Sequence, residues 1–265
     1  VSADPLAPLL ELPGVRAAAD GARAAVDRLL AHRVLRRRSA EVSAESALRG
    51  ARASAALEGA DHPLDKVRAG LGDPVLGDAG LGDAGLGDAV LDDPVLQGAL
   101  RVSTELGRLV GTWQRAPAQV LARLHVLAAS GLAPREELGR PAADPETATR
   151  LAGLAALVAG GTDAPAVVLA AVHAELRALV PFRTGSGVVA RAAARLTVIC
   201  RGLDPKALAV PEVGHLELRA EYDDALSAYA SGDPEGIGWW LWHCCAATEL
   251  GAREGMAICE AILRG

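Results

Sequence analysis

Apolar positions recur at helical spacing over most of the chain. In Pro13–Arg38 and Glu41–Leu57, alanine and leucine alternate with charge in a three-to-four-residue rhythm. That rhythm predicts two helices, with Ser39 as the cap of the second. The same texture runs from Ala99 to about Gly111 and from Ala118 to Ser130. Asp144-Pro145-Glu146 reads as a fresh start. An aspartate side chain accepts from the free N–H groups of a first turn, and proline fits the first helical position. Further helices are predicted at about 146–159, 164–179, 187–202, 214–230 and 233–263. No segment reads as a strand, so the expected fold class is all-α, with short connections between the later helices.

One stretch breaks the rhythm. In "GLGDPVLGDAGLGDAGLGDAVLDDPVL" leucine recurs at 71, 76, 81, 86, 91 and 96, and aspartate at 73, 78, 83, 88 and 93. A period of five fits neither helix nor strand. Five or six units make barely more than one coil of a pentapeptide solenoid, whose stability needs stacked neighbours. Residues 70–97 are therefore expected to be a low-complexity insertion. It divides N-terminal helices (1–69) from a helical core (98–265).

Composition agrees with helices. Of 265 residues 51% are hydrophobic and only 3% aromatic. Alanine and leucine are strong helix formers, whereas strands favour aromatic and β-branched residues. A net charge of −6 argues against nucleic acid or an anionic membrane as partner. The basic run "HRVLRRR" (32–38) is followed by Glu41 and Glu45 and reads as a solvated helix face. The apolar stretch Leu151–Ala171 is broken by Gly160, Gly161, Thr162, Asp163 and Pro165, so no membrane span is expected. Four cysteines, Cys200, Cys244, Cys245 and Cys259, form no C-x-x-C pair. Reduced, buried thiols and a cytoplasmic protein are expected, with no signal segment. His243-Cys244-Cys245 lacks a second ligand cluster in sequence, so no metal site is expected. Trp239, Trp240 and Trp242 fall on one helix and read as core packing or a homodimer face.

The candidate chemistry lies in "VPFRTGSGVVAR", Val180 to Arg191. A helix, Pro-Phe, a Gly-x-Gly turn and a second helix make an anion-binding shape. Glycines let successive N–H groups converge, and the following helix presents its free N–H groups and positive dipole end.

This segment resembles the active-site loop of the Fic family, whose members mostly transfer AMP from ATP to a hydroxyl of a target protein. The family motif reads His-Pro-Phe-x-Asp/Glu-Gly-Asn-Gly-Arg-x-x-Arg. Pro181, Phe182, Gly185, Gly187 and Arg191 match it in register. His173 stands seven residues upstream, Leu124-His125 resembles the family's Leu-His helix, and Gly139-Arg140 its Gly-Arg segment. "LELRAEYDDALSAYASGDPEGIGWWLWHC" resembles the tail of the fold. "RASAALEGAD" resembles the autoinhibitory helix, with Ser54 and Glu58-Gly59 in its motif positions. In the family that glutamate pairs with the last arginine of the loop and blocks the γ-phosphate. The resemblance therefore implies a Glu58–Arg191 ion pair holding the N-terminal helix on the core. The alternative is an Arg191 exposed on its helix.

Departures from the motif fall on the chemistry. Val180 stands at the catalytic histidine and cannot take a proton; losing one general base costs about 10²–10⁴-fold. Thr184 stands at the Mg²⁺-ligating acid, Ser186 at the bracing asparagine and Val188 at the first arginine. Only Pro141, Ala142 and Ala143 separate Arg140 from the next helix, so the family's target-docking flap is expected to be missing. His125 and His173 read as packing histidines. Together these imply a degenerate member that acts as a regulatory or protein-interaction module. It would bind an anion or nucleotide at most weakly, ATP with Mg²⁺ included, through Thr184, Gly185, Ser186, Gly187 and Arg191. Two alternatives stay open: an active nucleotidyltransferase with altered chemistry at Ser186 or Thr184, and a structural protein that oligomerises through its helices.

Overall fold

The computed structural model describes residues 6–72, 90, 92–160 and 164–264. Among these the named elements are α1 (Ala7–Leu10), α2 (Val15–Leu30), α3 (Leu35–Leu57), α4 (Leu64–Gly70), α5 (Pro94–Trp113), α6 (Pro117–Ala129), α7 (Pro145–Ala159), α8 (Pro165–Leu179), α9 (Ser186–Cys200), α10 (Pro211–Glu217), α11 (Arg219–Ala230) and α12 (Pro234–Arg264). The described residues contain no strand, only an isolated bridge between Ser130 and Ala133. The protein is all-α.

Helices α8 and α9 form the centre. Every residue from Ser186 to Val198 is buried, as is every residue from Pro165 to Ala174. Alanine and valine around the whole circumference suit helices covered on all sides. α9 packs against α8, α5 and α6; α12 packs against α2, α10, α11 and α8; and α3 packs against α5 and α10. Small residues bring backbones close. A Cβ at Gly98 would lie 2.1 Å from the Ala128 carbonyl oxygen, so only glycine fits where α5 crosses α6.

Several boundaries differ from expectation. The helix expected over Pro13–Arg38 ends at Leu30, where the His32 ring accepts a hydrogen bond from the Val34 N–H at 3.3 Å and turns the chain. The expected break at residue 39 is only a kink: Arg38 has φ −122 and ψ 27, and Ser39 lies inside α3 instead of capping a helix. α4 was not expected. α5 starts at Pro94, not Ala99, because Asp93 Oδ1 accepts from Val95 N at 2.9 Å and Leu96 N at 3.3 Å. Asp93-Pro94 thus repeats the cap-plus-proline logic of Asp144-Pro145. Leu96, counted in the repeat, is a fully buried core residue. The rest of the proposed insertion falls on residues 73–89 and 91, outside the described residues. The helix expected over 214–230 breaks at Leu218 (φ −92, ψ 21). That break lets α10 face α3 and α12 while α11 turns onto α12 and α8.

Candidate functional site

The loop between α8 and α9 is held from behind. Val180 closes α8 in the left-handed region, at φ 45 and ψ 57. Gly185, also left-handed at φ 67, opens α9. Ser186 Oγ donates to the Phe182 carbonyl at 2.7 Å and accepts from the Phe182 N–H at 3.3 Å, closing the turn on itself. The buried Phe182 ring stacks on His125, with centroids 4.1 Å apart and planes 12° apart. His125 Nδ1 accepts from the Gly139 N–H at 2.9 Å, and the Ala142 N–H donates to the Pro181 carbonyl at 2.9 Å. The Leu-His helix, the Gly-Arg segment and the loop therefore meet in space. Burial pushes the His125 pKa below the ordinary histidine value.

The far side of the turn is filled by a carboxylate. Arg191 is buried, and its Nη2 donates to Glu58 Oε1 at 2.9 Å and to the Ser54 carbonyl at 2.9 Å. Its Nε donates to Ser54 Oγ at 2.9 Å, and its Nη1 reaches the Tyr222 hydroxyl at 3.5 Å. Ser54, Glu58 and Arg191 form one constellation, so the exposed alternative for Arg191 is incorrect. Burial works against this charge, but the Tyr222 oxygen and Glu58 outweigh it and hold the pKa above the ordinary arginine value. Gly59 takes φ 96 just after Glu58, a left-handed turn that suits glycine. Glu58 Oε1 lies so close to the first turn of α9 that a Cβ on Gly187 would sit 1.9 Å from it. The helix end that would favour an anion thus faces the protein's own carboxylate.

The near side is open. A cleft of about 320 Å³ lies between the loop and the Arg140–Ala143 segment, with His125, Arg140, Ala142, Val180, Arg183 and Thr184 in its walls. Val180 is 51% exposed at its rim and brings no titratable group. The buried Thr184 Oγ1 and His125 Nε2 have no hydrogen-bond partner among the described residues. Val188 does not face this cleft: it is buried in the core cluster with Leu96, Val102 and Leu106. An arginine there would enter an apolar core. The arrangement can present Arg140 and Arg183 to an anion. Val180 and Thr184 bring no titratable group to the cleft, whose carboxylates and imidazole come from Glu136, Glu137 and His125.

The other singled-out residues lie elsewhere. His173 is fully buried and donates to or accepts from the Tyr222 hydroxyl at 2.8 Å. Burial, then the neighbouring His215, holds its pKa well below the ordinary histidine value. Trp240 is core, its Nε1–H donating to the Ala170 carbonyl at 2.9 Å, whereas Trp239 and Trp242 stand partly exposed. Sequence reasoning missed Arg177, whose Nη1 lies 4.0 Å from Glu58 Oε1. Its position one helical turn after His173 was the available signal. It also missed the second buried pair, Arg195 Nη1 to Glu212 Oε2 at 2.8 Å, which Arg191 and Arg195 at i, i+4 on one helix face foreshadow.

No protein-family model matches the chain, and no curated protein sequence matches it. Solved structures do. A Fic family protein from Desulfovibrio desulfuricans G20 superposes with a TM-score of 0.69 at 18% identity, over 92% of this chain and 74% of that one. A fragment of Fic-1 from C. elegans superposes with a TM-score of 0.71 at 19% identity, over 96% of this chain and 75% of that one. At such identities the likeness speaks for architecture. The superpositions show that this chain has the fold of the Fic family proteins.

Proposed function

We propose that the chain is a Fic-fold regulatory or protein-interaction module that does not transfer AMP by the family's route. The observation that carries this reading is Val180, standing exposed at the rim of the cleft where the motif histidine belongs. A valine cannot take a proton from an attacking hydroxyl. Thr184 supplies no carboxylate for Mg²⁺, and the place of the first motif arginine is turned into the core at Val188. Glu58 already occupies the anion-favouring end of α9. Binding of ATP with Mg²⁺ at Thr184, Gly185, Ser186, Gly187 and Arg191 is accordingly weak at most. Trp239 and Trp242, exposed three residues apart on α12, support a protein partner, a second copy of the chain included. The net charge of −6 speaks against nucleic acid. No helix of the described residues is long and apolar enough to cross a membrane.

The test is AMP incorporation from labelled ATP with Mg²⁺, for the chain and for Glu58→Gly. Neither is expected to label itself or an added protein extract. Label on either would overturn the reading in favour of an active nucleotidyltransferase. Returning the base and the acid, Val180→His with Thr184→Asp in the Glu58→Gly background, is expected to give self-labelling. A folded triple variant that stays silent would count against the turn as a nucleotide cradle.

A further inference from the structure

Beside Arg191, four helices bring their polar side chains into one buried cluster. α8 contributes His173, α10 His215, α11 Tyr222, and α12 Trp240, His243 and Cys244. All six are buried. His173 and His215 meet edge to face at 4.9 Å, and His215 Nδ1 lies 3.1 Å from His243 Nε2. Potential donor atoms of His173, His215 and Cys244 lie within 4.8 Å of one another. His173 meets the Glu58 constellation through the Tyr222 hydroxyl, and none of the three lines the cleft.

Two observations point beyond a packed aromatic core. His173 Nδ1 and His243 Nδ1 are inaccessible and have no hydrogen-bond partner among the described residues. Buried polar atoms are rarely left so, because each forfeits its bonds to water without replacement. The His173 atom belongs to the donor trio, while His243 gives its other nitrogen to His215. The chemistry of the donors also converges. A metal takes histidine as neutral imidazole and cysteine as thiolate. Two imidazoles and a thiol with donor atoms within 4.8 Å of one another make a donor set that such a metal takes, the Cys244 proton being displaced on binding.

We propose that His173, His215 and Cys244 form a buried site for one thiophilic closed-shell cation, Zn²⁺ or Cu⁺. Two imidazoles and one thiolate suit these ions and do not suit Mg²⁺ or Ca²⁺, which take oxygen. Donor atoms around a tetrahedral ion stand about 3.4–3.7 Å apart. The three side chains therefore close on the ion by about 1 Å. His243, stacked 5.2 Å from His215, is the nearest further imidazole for a fourth bond. Binding is not a redox step. The metal–sulfur bond forms as the Cys244 S–H bond breaks, and the proton leaves to solvent. Arg191 and Arg177 face His173, and their charges disfavour a cation. Glu58 balances Arg191 at 2.9 Å, and the thiolate leaves Cu⁺ neutral and Zn²⁺ with one net positive charge. On charge alone Cu⁺ is favoured.

The full chain, stripped with a chelator, is titrated with Zn²⁺ and, under reducing anaerobic conditions, with Cu⁺. Elemental analysis then counts bound metal, and Co²⁺ serves as the spectroscopic probe. One ion per chain is expected, with a thiolate-to-Co²⁺ absorption band. Cys244→Ser is expected to weaken binding at least tenfold and abolish the band. Cys245→Ser and Cys259→Ser are expected to leave both. No binding of either ion would overturn the proposal, as would binding that survives both Cys244→Ser and His215→Gln. Should those variants fail to fold, proton release decides on the unmodified chain. Calorimetry in buffers of different ionisation enthalpy should find about one proton released per ion at neutral pH. Release of none would exclude thiolate ligation and overturn the site.

Discussion

Replacing Gly187 by alanine puts a methyl group where the Glu58 carboxylate sits. The new Cβ would stand 1.9 Å from Oε1, 2.5 Å from Cδ and 2.8 Å from Oε2. Gly187 is not among the positive-φ glycines, so the backbone accepts alanine and the side chain of Glu58 must move. What is lost is the 2.9 Å bond to Arg191. Breaking a fully buried pair costs about 3–5 kcal/mol. Here the loss is smaller, because the Glu58 side chain is 25% exposed and Arg191 keeps Ser54 Oγ, the Ser54 carbonyl and the Tyr222 hydroxyl. About 2–3 kcal/mol is a fair figure for the pair. Alanine in a helix returns up to about 1 kcal/mol over glycine. The net expectation for Gly187→Ala is a destabilisation of about 1–2 kcal/mol. In a Glu58→Ala background there is nothing left to displace, and the same substitution should stabilise by up to about 1 kcal/mol. Urea denaturation of the four proteins of this cycle reads the sign directly. A Gly187→Ala cost that is unchanged by removing Glu58 would refute the packing of this carboxylate on α9.

Val180 is a β-branched residue held at φ 45 and ψ 57 with half its surface exposed. Val180→Gly should raise stability by about 1 kcal/mol in thermal unfolding, because left-handed backbone is strained for valine and little packing is lost. Val188→Arg, by contrast, forces a charge into the cluster around Leu96 and Val102, and should leave the chain unfolded or aggregated by far-UV dichroism and gel filtration. The metal-free protein should lose stability in acid. His173, His215 and His243 have folded pKa values below the ordinary 6.5, so their contribution is complete above about pH 6.5 and lost as pH falls through the folded values. Three such groups set a slope of up to about 4 kcal/mol per pH unit. Urea midpoints equal at pH 7 and pH 5 would show that these rings are not neutral in the folded chain.

Much of the fold was legible because the helical period persists through most of the chain. Asp144-Pro145 placed a helix start to within one residue, and the same pairing at Asp93-Pro94 went unread because both residues sat inside a five-residue repeat. The break after Leu30 was hidden for a different reason: no glycine or proline marks it, and a histidine ring turns the chain instead. At the site, Ser54, Glu58 and Arg191 were visible as motif positions, since serine and glutamate four apart share a helix face. The direction in which Val188 points was not. Residue order gives a position on a helix, while neighbours from α5 decide whether that position faces the cleft or the core. The His173, His215 and Cys244 cluster was equally invisible. Its members come from three helices, and no spacing along the chain records that α8, α10 and α12 converge.

The two sides of the loop now carry different physical meanings. On the open side, the cleft is lined by Arg140 and Arg183 together with Glu136, Glu137 and His125, and Val180 and Thr184 stand at the motif positions. On the closed side, Glu58 is bound by Arg191 as a small anion would be, with Ser54 and Tyr222 completing the shell. Filling that shell from within ties α3 to the core. Ser54, Glu58 and Arg191 thus contribute to the integrity of the fold. On that basis, mutating Arg191 should be felt first as a loss of stability, read as a lower urea midpoint.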